Sequence, residues 1–197
     1  MAITVSAYRK AAPELEKRLR CAVITAVGPG HELLAEDSAE SVSAAFGHAP
    51  GRFSEVEIIR VDDTQGALGR SEARNLGVRE AERRGAQWIF FLDADDLMHP
   101  DAFASVAPYL DEWDAIWGAI CELAEDENSG VIRPGQVMQI HDITDLLVRD
   151  PWLTLQMGHF VRTGVALSNP FDHRLNCGED FDYYLRLWSD QRCTKVP

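Results

Sequence analysis

The chain has 197 residues, enough for one domain around a single large core. Apolar residues make up 46%, and 32 Asp plus Glu against 19 Lys plus Arg give a net charge of -13. Such a surface repels nucleic acid and anionic membrane, which argues against a nucleic-acid partner. It contains no apolar run long enough for a transmembrane segment.

Residues 1–20 are polar and mixed in charge, lack the apolar centre of a signal peptide, and read as a short helical or disordered lead-in. Residues 21–197 read as one domain with two halves, 21–112 and 113–197. Cys21, Cys121, Cys177 and Cys193 have no CxxC spacing. They read as ordinary thiols of a cytoplasmic protein.

Cys21–Val27 is a short apolar, β-branched run closed by Gly28-Pro29-Gly30, which predicts a buried strand and a tight loop. His31–Phe46 carries Leu34, Val42, Ala45 and Phe46 at roughly helical spacing, and Gly47 and Pro50 end it. Val56–Val61 predicts a second strand, closed by Asp62-Asp63-Thr64. A glycine-bounded loop, Gly66–Gly69, leads to a helix capped by Ser71, with Ala73, Leu76, Gly77 and Ala81 as its buried stripe. Gly85 stops it. Trp88–Leu92 is the most apolar strand and runs into Asp93-Ala94-Asp95-Asp96. A further helix runs from near Pro100 towards Leu110.

This alternation of strands and helices predicts an α/β fold: a mostly parallel sheet with helices on both faces. Strands that are apolar throughout support burial on both sides. The second half is less regular. Strands are expected over Asp114–Leu123 and Phe160–Leu167, an acidic turn over Glu125–Gly130, a β excursion over Val131–Gln139 and a short helix over Asp142–Val148. Phe181, Tyr184, Leu185 and Trp188 fall at i, i+3, i+4 and i+7, which predicts an amphipathic helix beginning near Gly178.

Ligands of open α/β sheets bind at the carboxyl ends of the strands. Asp62, Asp63, Asp93, Asp95 and Asp96 all fall at that edge and repel one another unless a cation sits among them. Hard oxygen ligands select Mg²⁺ or Mn²⁺. The bland alternative is that these residues form turns and cap helices. Two chemistries use such an edge: phosphotransfer through a strand-end Asp nucleophile, and glycosyl transfer through an Asp-x-Asp metal site. The first usually shows Asp-x-Asp-x-Thr/Val and a downstream lysine. Here position 97 is Leu, and no lysine lies between Lys17 and Lys195.

Phe90–Pro100 (FFLDADDLMHP), Gly69–Gly77 (GRSEARNLG), Glu57–Asp63 (EIIRVDD) and Phe171–Leu187 (FDHRLNCGEDFDYYLRL) together resemble glycosyltransferase family 2. The resemblance covers roughly residues 21–190 and implies a GT-A fold and an inverting, metal-dependent transfer from a nucleotide sugar. The donor would be a UDP-, GDP- or dTDP-sugar and the acceptor a glycan or small molecule. The resemblance implies that Asp63, with Asp62, contacts the base or ribose, and that Asp93 touches the ribose or helps hold the metal. It implies that Asp95, beyond Ala94, ligates a Mn²⁺ or Mg²⁺ ion on the diphosphate. Arg74 would lie near the nucleotide, and Asp180 would be the general base.

A helix N-terminus favours the ionised form that a base requires. The alternative for Glu179-Asp180 is an acidic pair of modest stabilising value in a first turn. His31, His99 and His159 are weaker candidates for binding phosphate or metal, and Trp152 and Phe160 for stacking on a sugar. Residues of these types more often sit in loops or in the core. Two places depart from the family pattern: the first loop reads Gly-Pro-Gly-His, and Asp62-Asp63 is followed by Thr-Gln. A non-catalytic module that binds nucleotide sugars is the competing reading.

Overall fold

The computed structural model describes residues 2–9, 19–123, 130–140, 142–149, 151–175 and 177–197. Three apolar runs become the parallel centre of the sheet: β2 (Leu19–Val27), β3 (Phe53–Asp62) and β4 (Trp88–Phe91). β2 lies between the other two, pairing with β3 from Leu19↔Phe53 and with β4 from Cys21↔Trp88. Between them run α1 (Leu34–His48) and α2 (Arg70–Arg83). After β4 come α3 (Ala102–Val106), a 3₁₀ turn and β5 (Ala115–Trp117).

The chain then forms a small separate ladder, β6 (Cys121–Glu122) with β7 (Val131–Ile132). It continues through α4 (Ile143–Val148), α5 (Pro151–Thr154), β8 (His159–Arg162), α6 (Thr163–Ser168), α7 (Glu179–Asp190) and β9 (Cys193–Lys195). Strand β1 (Ile3–Arg9) adds to the far edge, and the main sheet reads β1-β3-β2-β4-β8-β5-β9.

The two faces of the sheet have separate cores, because alternate residues of a strand point to opposite sides. Ala22, Ile24, Ile59, Ile89 and Phe91 pack beneath α2, α6 and α7. Cys21, Val23, Ile58, Trp88 and Phe90 pack beneath α1 and α3. Helix α2 approaches the sheet closely at Gly77, where a Cβ would collide with Ile24. From β2 the chain moves outward to β3, then crosses to β4 on the other side. That reversal opens a crevice at the carboxyl ends of β2 and β4, where open sheets bind ligands.

Several expectations are corrected. Residues 3–9 are not a helical or disordered lead-in: they form β1, antiparallel to β3 from Ile3↔Val61 to Arg9↔Glu55. Residues 10–18 of that lead-in, and 125–129 of the acidic turn, lie outside the described residues. Ser71 does not cap α2. Gly69, at φ 77°, takes the cap position two residues earlier, and the Ser71 hydroxyl donates to the Asp172 carbonyl instead.

The strand expected over Phe160–Leu167 is β8 followed by α6. Thr163 N donates to Gln87 O where the ladder with β4 ends, and Ala166 is then buried against the α2 side of the sheet. The segment expected as one strand over Asp114–Leu123 breaks after Trp117, and its end pairs with Val131–Ile132. Phe160 is a core residue among Phe53, Phe90 and Phe103. The side chain of Trp152 lies outside the described residues.

Candidate active site

The loops after β2 and β4 and the start of α2 line a cleft of about 390 Å³. Of the sequence candidates, Asp63, Arg74, Asp93, Ala94 and Asp95 line it, together with Gly28, His31 and Arg70. Asp62 does not. It is exposed at the end of β3, accepts from the backbone N–H and hydroxyl of Thr64 at 3.0 and 2.8 Å, and lines a second cavity of about 330 Å³ with Thr4 and Arg60. Those two bonds hold its carboxyl below the usual range. The adjacent pair thus divides between two cavities, because successive residues at a strand end point to opposite sides.

Asp63 is 8% exposed. Its two oxygens accept from the backbone N–H groups of Leu68 and Gly69, each at 2.8 Å. A buried carboxylate is stable only with such partners. In exchange it fixes the loop that delivers the chain into α2, with Gly69 in the positive-φ region that favours glycine.

Arg74 joins the two halves of the site. Its Nη2 donates to Asp93 Oδ1 at 2.7 Å and its Nη1 to Glu179 Oε1 at 3.1 Å. Arg74 and Glu179 are both almost fully buried. Burial alone disfavours the guanidinium, but Asp93 and Glu179 overcome it, and the proton is held more tightly than usual. The Arg74 guanidinium also lies 5.4 Å from the Phe171 ring centroid. One residue on, Asn75 exchanges two hydrogen bonds of 2.9 Å with the backbone of Phe171. Ser71, Arg74 and Asn75 therefore tie one helix to residues 171–179.

Asp95 is exposed and Ala94 is buried between the two acids. Asp96 has its pKa raised to about 6, first by burial and then by Asp93 and Asp95. Among the described residues no group of three or more potential ligands is placed to hold a metal ion. A magnesium-like ion keeps waters and takes one or two carboxylates plus phosphate oxygens. Exposed Asp95 fits that pattern, with Asp93 in part because Arg74 occupies one of its oxygens.

Asp180 is half-buried in the first turn of α7, after Gly178 at φ 72°. The helix is rotated from the expected stripe. Its buried side carries Glu179, Tyr183, Tyr184, Leu187 and Trp188, with Phe181 and Leu185 only partly buried. Glu179 therefore points into the protein to meet Arg74, and Asp180 does not. Tyr184, one turn on from Asp180, has its hydroxyl pKa pushed far up by burial and, next, by Asp180. Glu179, Asn75 and Ser71 were missed as site residues. Their partners are about 100 residues away in sequence, although all three lie inside the quoted motifs.

The histidines separate cleanly. His31 is exposed and lines the cleft. His99 is exposed and accepts from Asp101 N. His159 belongs to the core: it is 0% exposed and stacks on Trp117 with centroids 4.4 Å apart. Burial, with Arg74 nearby, lowers its pKa from 6.5 to about 3. The unfolded chain therefore binds a proton that the folded chain refuses between those values. Stability is complete above pH 6.5 and falls as pH drops towards 3, by up to about 1.4 kcal/mol per unit. Unfolding of His159→Phe across this range is expected to show a shallower pH dependence, and an unchanged slope would assign the loss to other groups.

Lys195, which a phosphotransferase would need near the strand-end acids, is buried elsewhere. It donates to Thr154 O and Gln136 Oε1. Burial, followed by Arg133, lowers its pKa to about 8.

A mostly parallel α/β sheet with an acidic edge at the carboxyl ends of its strands, tied through Arg74 to Glu179, defines the class. The family model for glycosyl transferase family 2 matches residues 36–174, and the chain belongs to that family. Its fold is of the GT-A type. The chain is similar to S. aureus TarS 1-349, with 15% identity and a TM-score of 0.62 over 89% of this chain and 57% of that one. It is also similar to S. aureus TarS in a second crystal structure (15%, TM-score 0.64, 89% and 35%) and to TarS 1-349 in complex with UDP-GlcNAc (13%, TM-score 0.62, 89% and 55%). The chain thus spans little more than half of the shorter TarS chain. No curated protein matches it in sequence. Among the described residues no helix is long and apolar enough to cross a membrane.

Proposed function

We propose that the chain transfers a glycosyl group from a nucleoside diphosphate sugar to an acceptor hydroxyl with inversion. The observation that carries this is the cleft that gathers Asp63, Arg74, Asp93 and Asp95 at the crevice, with Arg74 bonded across to Glu179 beside Asp180. Asp63, already anchoring the loop, borders the base and ribose. Asp95, with Asp93, is the place for a Mn²⁺ or Mg²⁺ ion, which when bound would offset the charge of the departing diphosphate. Asp180 takes the acceptor proton, and its half-exposed position leaves it open to an incoming hydroxyl.

The complexes of TarS 1-349 with UDP and UDP-GlcNAc make UDP the first nucleotide to test. We place the protein in the cytoplasm, a reducing compartment in which exposed thiols such as Cys121 and Cys177 persist.

The test is thermal stabilisation by UDP, GDP and dTDP with Mn²⁺, since a ligand bound to the native state raises the melting point. Wild type is expected to respond to one of them. Asp95→Ala is expected to lose the Mn²⁺-dependent part of that response and transfer activity with it. Unchanged metal-dependent binding and turnover in Asp95→Ala would remove Asp95 from this role.

A further inference from the structure

The cleft poses an electrostatic problem that its acids cannot solve. Asp63, Asp93 and Asp95 line it in a protein of net charge -13, yet a nucleoside diphosphate is itself an anion. Arg70 and Arg74 are the two guanidinium groups in the lining. Arg74 is fully committed: it is buried and divided between Asp93 and Glu179.

Arg70 is placed differently. It is the first residue of α2, its side chain is 65% exposed, and its Nε lies 3.4 Å from Glu179 Oε1. Among the described residues its two terminal nitrogens have no hydrogen-bond partner. The planar fork of an arginine matches a phosphate in two parallel hydrogen bonds, and a donor already held by one edge loses little freedom when the fork engages. Glu179 keeps Arg74 whether or not Arg70 stays, so Arg70 can leave it without exposing a bare buried charge.

We propose that Arg70 is a substrate-contacting residue that binds the diphosphate of the donor through its terminal nitrogens. It stabilises the negative charge that grows on the leaving group as the glycosyl bond breaks. This rests on the donor reading above and assigns that reading a cation supplied by the chain itself.

Calorimetry tests it with whichever of UDP, GDP and dTDP the wild type binds most tightly, beside the matching nucleoside and inorganic pyrophosphate, in EDTA and in Mn²⁺. Arg70→Ala is expected to weaken diphosphate and pyrophosphate binding about tenfold, the size of one charge-assisted hydrogen bond, in both conditions. Binding of the nucleoside is expected to stay within about twofold, because it lacks the phosphates that the proposal assigns to Arg70. Arg70→Lys is expected to fall between, since it keeps the charge and loses the fork.

Diphosphate binding that survives Arg70→Ala unchanged overturns the assignment and leaves the donor reading intact. The same holds for a loss that nucleoside and diphosphate share equally at an unchanged melting point. A wild type that binds no diphosphate in either condition overturns both.

Discussion

Arg74→Ala is expected to lower unfolding stability by about 3–5 kcal/mol, the usual result of removing one partner from a buried ion pair. That is a large share of the roughly 5–15 kcal/mol that holds a domain of ordinary stability. The reason is the company Arg74 leaves behind. Glu179 is 3% exposed, and without the guanidinium its carboxylate has only the 3.4 Å contact with Arg70. Asp93 loses its 2.7 Å bond at the same time.

Chemical denaturation measures the effect directly. Arg74→Met combined with Glu179→Gln is expected to regain part of the loss, because the second change removes the charge that the first one strands. An Arg74→Ala midpoint equal to that of wild type would mean that the bridge contributes nothing.

Asp180→Asn is the complementary case. It is expected to lower kcat by about 10²–10⁴-fold, the range for removing a general base. Stability is expected to change by no more than about 0.5 kcal/mol, as for most half-exposed replacements, and KM for the donor to hold. Glu179→Gln is expected to show the reverse balance, with stability reduced first, because that neighbour is locked into the ion pair. The contrast separates two acids that are adjacent in sequence and reads α7 by rotation. Equal turnover by Asp180→Asn and wild type would take the base role away from Asp180.

The centre of the molecule was legible because its signals are local. β2, β3 and β4 are unbroken apolar runs, and strands covered on both faces look like that whatever lies next to them. The acids that follow them stand out for the same reason. β1 was hidden in a polar segment, although Ile3, Val5 and Ala7 alternate with Thr4, Ser6 and Tyr8. A half-exposed edge strand leaves only that weak period of two.

β9 was not expected at all, since three residues form a strand only because β5 is there to pair with them. The spacing in α7 specifies a helix, but its buried face lies one step round from the stripe that spacing predicts. Apolar residues alone set the expected stripe at Phe181 and Leu185. The actual inward face carries Tyr183 and Leu187 together with a charged residue, Glu179, whose partner is 105 positions earlier. The division of Asp62 from Asp63 follows strand alternation, but the buried role of Asp63 depends on the backbone N–H groups of Leu68 and Gly69, which composition cannot reveal.

The bonds from Ser71 to Asp172, Arg74 to Glu179 and Asn75 to Phe171 have a consequence for engineering. A chimera that joined residues 21–112 of this protein to the later half of a relative would cut between the two members of each pair. Such a graft would have to import 171–180 matched to its own α2, or carry α2 across with it. The two halves are thus not separately exchangeable parts, and a library that varies 171–180 alone also varies the partners of Ser71, Arg74 and Asn75.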